Sequence, residues 1–309
     1  MEKIKNNQPL PIFLKKLILE ISQIIEEEEF LLFGGAPIDY LLNGNTKFND
    51  LDIAIKKTNK REMNNLKEKL VKKGFKVLIS LREYTVQKTK KVYLMYAKNE
   101  KLSLDICFLD DFELAPGPFN LDNLYCRYPE LDFVDNLNSI DGITKKIIIP
   151  TRSLQSENPY LLLSRFIRLC SKYKIYPLET SENKNIFLEI KKEIESGKYS
   201  NNSDQFASCI DSIIKSILES ENRRKFIENI VNGGIIGKTM PELHRSLKLA
   251  VGLNYNNLNR VDNKKNLIIL LINLFTNKND KKSFLKLINC LKSRSWDLEY
   301  TDLFDNIKL

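Results

Sequence analysis

Histidine, paired cysteines and long apolar runs are all scarce in this 309-residue sequence, and each scarcity excludes a class of site. There is one histidine, His244, so chemistry that depends on several imidazoles is not expected. The five cysteines lie far apart and form no Cys-x-x-Cys pair, which argues against structural zinc. We therefore expect the cysteines to be small buried side chains.

Membrane insertion is excluded by the same kind of absence. The longest apolar runs, such as residues 267–274, fall well short of the roughly 20 residues that a spanning helix requires. The first residues show no charged-then-apolar signal region, so we expect a cytoplasmic protein. The net charge of +9 favours phosphate-rich partners, although the abundance of Lys, Asn and Ile is also typical of an AT-rich genome.

The sequence changes character near residue 150, which predicts two domains, 1–150 and 151–309. The first has mixed α and β periodicity, with predicted helices at 12–29 and 62–73 and predicted strands at 30–33, 51–55, 91–97 and 102–108. The second is helical throughout, with helices predicted near 160–173, 185–197, 204–230, 241–252, 265–276 and 281–293. The predicted fold class is therefore α+β.

Three acidic residues of the first domain have the pattern of a metal site. Asp50 and Asp52 are separated by one residue in a strand-like segment, so both side chains should lie on one face. Asp105 is a lone acid in the apolar segment 102–108, where an unpaired carboxylate would be costly to bury. Carboxylate oxygens are ligands that Mg²⁺ prefers, so these three residues are candidate catalytic and metal-binding residues.

A diglycine, Gly34-Gly35, lies between a predicted strand and a short helix. Such a turn lets the backbone approach a triphosphate while the free N–H groups of the helix start donate to it. A plain strand-to-helix turn would look the same, so the pair alone is weak. The order diglycine, short helix, loop and Asp-x-Asp is more specific, because the residues needed for one active site follow each other at suitable spacing.

These motifs resemble the class II tRNA nucleotidyltransferases and bacterial poly(A) polymerases, which belong to the DNA polymerase β superfamily. The family pattern G-G-x-V-R-D-x-L-L-G followed by D-x-D is similar to GGAPIDYLLNG at 34–44 and DLD at 50–52, with Asp39 also matching. Ile38 stands where the family has arginine.

Two further segments are similar to family motifs. The family segment R-R-D-F-T-I-N-A-L corresponds to PGPFNLDNL at 116–124, which keeps the apolar frame and lacks R-R-D. The neck motif E-D-P-L-R-x-L-R-A-x-R-F-A is similar to ENPYLLLSRFIRL at 157–169, which retains Arg165 and Arg168. Because these arginines are three residues apart on a helix, they either meet the nucleotide or form a solvated, salt-bridged face.

The resemblance implies a polymerase-β-type nucleotidyltransferase head followed by a helical neck and body. It implies an enzyme that transfers nucleotides from ATP or CTP to an acceptor hydroxyl, an RNA such as a tRNA 3′ end, with Mg²⁺ or alternatively Mn²⁺ as cofactor. Asp50, Asp52 and Asp105 would hold the metal, and the nucleotide-binding residues would be Gly34, Gly35, Asp39, Arg165 and Arg168. Two alternatives stay open: a small-molecule or protein acceptor, and a non-catalytic RNA-binding protein.

Overall fold

The computed structural model describes residues 8–48, 50–57, 59–86, 90–109, 112, 117–151, 153–199, 204–252 and 258–293; within these ranges, side chains are described except at 79–86, 90–92, 156 and 292–293. The chain divides into two compact units, Met1–Arg152 and Ser153–Leu309. The first contains a mixed sheet with helices and the second is helical, which confirms the α+β class. Among the described residues, no helix combines the length and hydropathy needed to cross a bilayer.

A seven-stranded sheet in the order β3-β4-β5-β2-β1-β6-β7 forms the first unit. The strands are β1 Phe30–Phe33, β2 Leu51–Lys56, β3 Lys76–Val86, β4 Lys90–Lys98, β5 Ser103–Leu109, β6 Tyr125–Tyr128 and β7 Phe133–Val134. Strands β2 and β5 run parallel, and the other neighbouring pairs are antiparallel. The four predicted strands are confirmed, whereas β3, β6 and β7 were not predicted.

The helices of the first unit are α1 Ile12–Ile25, α2 Gly35–Asn43, α3 Lys60–Lys72 and α4 Ser139–Lys145. The predicted extension of α1 to residue 29 is wrong, because Glu26 adopts a left-handed conformation with φ of 55° and ends the helix. The Lys73 ammonium after α3 donates to the carbonyl oxygens of Gln23 and Ile24 and to the Glu26 carboxylate. This cation caps the negative end of α1 and ties it to α3.

The alternation of side chains along the central strands decides which face is buried. Ile53 of β2, Ile106 of β5 and Met95 of β4 have no solvent exposure. Because neighbouring residues of a strand point to opposite faces, Asp52 and Asp105 must lie on the other face of the sheet. The burial of one apolar face therefore orients both carboxylates.

Helices make up the second unit: α5 Pro159–Lys172, α6 Ser181–Glu195, α7 Asp204–Glu219, α8 Arg223–Gly233, α9 Pro241–Val251, α10 Lys264–Asn273 and α11 Lys278–Ile288. Helices α5 and α7 approach closely enough for the buried Ser164 and Ser212 hydroxyls to lie 2.6 Å apart. The prediction of one helix over 204–230 is wrong. Asn222 starts a new helix there, because its side chain accepts a hydrogen bond from the Lys225 N–H.

Candidate active site

Two of the predicted carboxylates lie side by side on the sheet. Asp52 of β2 and Asp105 of β5 are direct partners in the parallel register. Register partners on adjacent strands share a face and are separated by about 4.8 Å between backbones. Both side chains are half-buried. The parallel pairing therefore creates a carboxylate pair from residues that are far apart in the sequence.

Asp50 differs from the other two in its position. The expectation that Asp50 lies inside the strand is wrong, because β2 begins at Leu51 and Asp50 is an exposed residue immediately before it. Its charge nevertheless reaches Asp105, whose pKa it helps to raise. Asp50 is therefore the solvent-facing acid of the site, at the end of the loop that follows α2.

Asp105 is held in a setting that penalises its charge. Burial first, and the negative charge of Asp50 second, raise the pKa of Asp105 to about 6. Cys107 lies two residues beyond Asp105 on β5. Burial first, and the charge of Asp52 second, raise the pKa of its thiol to about 12. Cys107 is therefore a neutral neighbour at physiological pH. A cation beside Asp105 would favour its ionised form and so offset both causes of the raised pKa.

The glycine turn touches the carboxylate pair directly. Gly34 follows β1 with φ of 74° and ψ of −136°, a conformation that is essentially restricted to glycine. A side chain at this position would also overlap the Asp52 carboxylate, because a Cβ atom built on Gly34 collides with Oδ2 of Asp52. The turn and the first strand carboxylate are thus in van der Waals contact, which confines anything bound at the turn to the vicinity of Asp52.

Helix α2 begins immediately after this turn. Its first residue is Gly35, and its first turn contains no acidic side chain that would occupy the free amides. Pro37 has no N–H, so the donors of this turn are the other backbone amides. Asp39 lies one turn further along α2 and is half-buried; its role in nucleotide binding remains a prediction.

An apolar cluster floors the site on one side. Leu31, Ala54, Leu109 and Tyr125 are buried together, and Phe33, Leu94, Cys107, Phe112 and Val134 pack against them. Several of these residues lie on the carboxylate face. Ala54 and Cys107 are two residues beyond Asp52 and Asp105 along their strands, and Leu31 and Leu94 are their register partners. This floor removes water from one side of the carboxylates and explains why burial is the larger cause of the shift at Asp105.

Two aromatic residues flank the carboxylate pair, and the sequence analysis did not single them out. Phe33 pairs with Asp52 across β1 and β2, and Tyr96 pairs with Asp105 across β4 and β5. One row across the sheet therefore reads Tyr96, Asp105, Asp52, Phe33. The β-branched and aromatic residues of segment 91–97 predicted the strand that carries Tyr96. Which strand it pairs with, and in which register, is set by packing that the local sequence does not encode.

The donor set fits a magnesium ion that is completed by its substrate. Within the part of the chain that the structure describes, no group of three or more His, Cys, Asp or Glu side chains is preformed as a metal cage. Mg²⁺ usually keeps water ligands and binds through one or two carboxylates together with substrate phosphates. Asp52 and Asp105, with Asp50 beside them, supply that kind of incomplete oxygen set.

The remaining candidate residues belong to the second unit. Arg165 and Arg168 lie on α5, where Arg165 is half-buried and Arg168 is exposed. Their assignment to the nucleotide remains a prediction. His244, on α9, is half-buried, and burial lowers its pKa.

The basic cluster 223–225 has structural contacts. Arg223 donates to the carbonyl oxygens of Leu218, Leu258 and Val261, and Arg224 pairs with Glu228. Lys225 lies 3.8 Å from the centre of the Tyr176 ring. These contacts hold helices together and give the cluster a role that needs no nucleic acid. Asp110 and Asp111, which follow β5, lie outside the described residues.

Comparison with solved structures relates this architecture to known proteins. A CCA-adding enzyme in complex with CTP matches with a TM-score of 0.59 and 15% identity over 94% of this chain and 72% of that chain. A CCA-adding enzyme in complex with ATP gives 0.58, 15%, 94% and 70% for the same measures. The Thermotoga maritima CCA-adding enzyme complexed with tRNA gives 0.57, 16%, 96% and 74%. No family model and no curated protein matches the sequence.

The chain thus shares its fold, a mixed sheet followed by helices, with these solved structures. More particularly, the chain as a whole resembles CCA-adding enzymes in fold, at low sequence identity.

We expect Gly34→Ala to disturb the site more than the same change at Gly44. Both glycines have positive φ, but a Cβ on Gly44 meets nothing within 4 Å, whereas a Cβ on Gly34 meets Asp52. In urea unfolding, the free energy of unfolding should fall by about 1 kcal/mol in Gly44→Ala. It should fall by about 1–3 kcal/mol more in Gly34→Ala. Equal losses for the two variants would mean that the turn does not press on Asp52.

We expect Asp105→Asn to stabilise the metal-free protein at pH 7, with a gain on the order of 1 kcal/mol after solvent screening. The folded-state pKa of Asp105 is raised to about 6, so its ionised form opposes folding above that pH. The gain should shrink as the pH falls from about 6 to below the unfolded-state pKa of about 3.9, where the carboxyl group is protonated in both states. Thermal unfolding at several pH values measures this, with the exposed Glu68→Gln as control. A gain that does not change with pH would contradict the electrostatic account.

Proposed function

We propose that this protein is a metal-dependent nucleotidyltransferase that transfers a nucleotidyl group from ATP or CTP to the 3′ hydroxyl of an RNA, a tRNA 3′ end, with release of pyrophosphate. The observation that carries the proposal is the contact between the Gly34 turn and Asp52, beside which Asp105 lies in register. A triphosphate site and a carboxylate pair in direct contact are what this reaction needs.

The proposed roles follow the row across the sheet. The Gly34-Gly35 turn and the free amides of α2 bind the triphosphate, because helix N-termini favour anions. Asp52 and Asp50 face the α-phosphate and, with Asp105, would hold one or two Mg²⁺ ions. Bound Mg²⁺ would neutralise phosphate charge and favour ionisation of the attacking hydroxyl. Asp105, on the side away from the turn, orients that hydroxyl for in-line attack on the α-phosphate.

The setting of Asp105 supports this division of roles. Its pKa of about 6 in the metal-free protein reflects burial and a like charge, both of which a bound cation would offset. The apolar floor beside the carboxylates lowers the local dielectric constant. Each charge interaction with the transferring phosphate is therefore stronger than in water. Catalysis would then come from positioning and charge neutralisation.

RNA is the acceptor that the fold comparison and the charge favour. Solved structures with the same fold are CCA-adding enzymes, among them complexes with CTP, ATP and tRNA. The net charge of +9 suits a polyanionic partner. We assign Arg165, Arg168 and Asp39 to the nucleotide on the motif resemblance alone.

A second candidate uses the same head with a different acceptor, a small molecule or a protein side chain. The observation that favours it is the loss of polar recognition groups: Ile38 replaces an arginine, and the segment 116–118 reads Pro-Gly-Pro where the resembled family has R-R-D. A protein that binds RNA without catalysis is the third possibility. Retention of all three carboxylates argues against it, since a site without cations has no use for acids it must desolvate.

The reaction is tested with each of the four α-³²P-labelled NTPs, Mg²⁺ and unmodified tRNA lacking its 3′ end. We expect label in the tRNA with ATP or CTP, and a decrease of at least about 10³-fold in Asp52→Asn, because this side chain would contact the reacting phosphate. Glu68→Gln is the matched carboxylate control. Label in protein or small molecules instead supports the second candidate, and a wild-type protein equal to Asp52→Asn in every assay rejects catalysis.

Metal and nucleotide should bind together. Because the described carboxylates form an incomplete ligand set, we expect weak Mg²⁺ binding to the protein alone and much tighter binding with a non-hydrolysable NTP, by about 10-fold or more. Calorimetric titration of Mg²⁺ with and without the NTP analogue measures the coupling. Asp105→Asn should reduce the coupling, whereas a fully formed Mg²⁺ site without nucleotide would contradict the proposal.

A further inference from the structure

The row of side chains that contains the carboxylates continues beyond Asp105 to the edge of the sheet. Asp105 pairs with Tyr96 of β4, and Tyr96 pairs with Leu78 of β3. Directly opposed residues of antiparallel strands share a face, so Leu78 and Tyr96 lie on the carboxylate face. Tyr96 is half-buried, and Leu78 is 57% exposed. An aromatic and apolar strip therefore leads from Asp105 to the sheet edge.

Lysines border this strip. Lys76 and Lys98 are also register partners, two residues from Leu78 and Tyr96 along their strands, and therefore on the same face. Both are exposed. Next to them is a groove of about 770 Å³ lined by Gly74, Lys76, Lys98, Asn99, Glu100 and Lys101. With three lysines and one glutamate, this lining has an excess of positive charge.

The order of groups across the sheet gives the site a direction. The Gly34 turn follows β1 and touches Asp52, so the triphosphate side of the row is the β1 side. Asp105 is one strand further, and Tyr96 and Leu78 are two and three strands further. In-line attack requires the nucleophile and the leaving pyrophosphate on opposite sides of the α-phosphate. The acceptor must then approach from the side of Tyr96.

We infer that Tyr96 and Leu78 form a platform for the terminal base of a polynucleotide acceptor, with Lys76 and Lys98 contacting its phosphates. The inference rests on the proposed function and adds the surface that holds the acceptor. A planar base stacks on an aromatic ring whatever its identity, and an exposed apolar side chain beside the ring extends that surface. Lysines flanking a stacking surface are the usual complement for a phosphate backbone.

The platform is tested with an RNA oligonucleotide carrying 2-aminopurine at its 3′ end, whose fluorescence falls when the base stacks. Binding of the wild-type protein should quench the fluorescence, and Tyr96→Ala should remove the quenching and weaken binding about tenfold. Tyr96→Phe keeps the ring and should behave as wild type, which separates stacking from folding. Leu78→Ser changes an exposed residue and should give an intermediate loss.

The lysines are tested by the salt dependence of the same binding. The slope of log K against log salt is negative. Lys76→Gln combined with Lys98→Gln should reduce its magnitude by about 1.4 to 1.8, the value for two phosphate contacts. The matched control is Lys15→Gln with Lys16→Gln, two exposed lysines of α1, which should leave the slope unchanged. Equal slopes for the two pairs would remove Lys76 and Lys98 from the acceptor path.

Separate readouts distinguish this inference from the proposed function. NTP-analogue binding without RNA should be unchanged in Tyr96→Ala, while the KM for RNA rises. If the wild type adds nucleotides but Tyr96→Ala has unchanged quenching and unchanged KM for RNA, the platform is rejected and the proposed transferase activity is retained. If quenching depends on Tyr96 but no nucleotide is transferred, the platform stands and the enzyme is rejected. A wild-type protein that binds no RNA overturns the platform.

Discussion

The parallel pairing of β2 with β5 is the constraint on which the candidate site depends. It sets Asp52 and Asp105 directly beside each other on the same face, while Ile53 and Ile106 on the opposite face are fully buried. A shift of the register by one residue would turn one carboxylate into the core and one isoleucine into the site. The apolar core therefore maintains the carboxylate pair, while burial and the charge of Asp50 raise the pKa of Asp105.

The Gly34 turn links that pair to the start of a helix. Because Gly34 has no side chain, the chain passes against the Asp52 carboxylate and α2 can begin one residue later. Gly34 thus adopts a backbone conformation that other residues rarely adopt, and it leaves room for the Asp52 carboxylate. Only glycine, which has no Cβ atom, can do both. An anion at the turn would meet the positive end of α2, and a cation at the carboxylates would offset their negative charge.

Local sequence patterns predicted the elements that carry the site, but not the way in which they pair. Asp105 was identifiable because an acid in an apolar strand needs a physical reason, and Gly34 and Asp52 because the diglycine, short helix, loop and Asp-x-Asp follow each other at suitable spacing. Tyr96 was not, since an aromatic residue in a strand is ordinary and only the pairing of β4 with β5 brings it beside Asp105. Long-range register is decided by packing of the whole sheet. The division at Asn222 was missed for a local reason, because a capping side chain interrupts a continuous apolar pattern.

The most direct measurement is a crystal structure of the protein with Mn²⁺ and a non-hydrolysable NTP, in which anomalous scattering locates the metal. The account predicts Mn²⁺ within about 2.0–2.3 Å of carboxylate oxygens of Asp52 and Asp105. It also predicts triphosphate oxygens that accept hydrogen bonds from the amides at the start of α2. Metal bound elsewhere, or a triphosphate distant from the Gly34 turn, would contradict it.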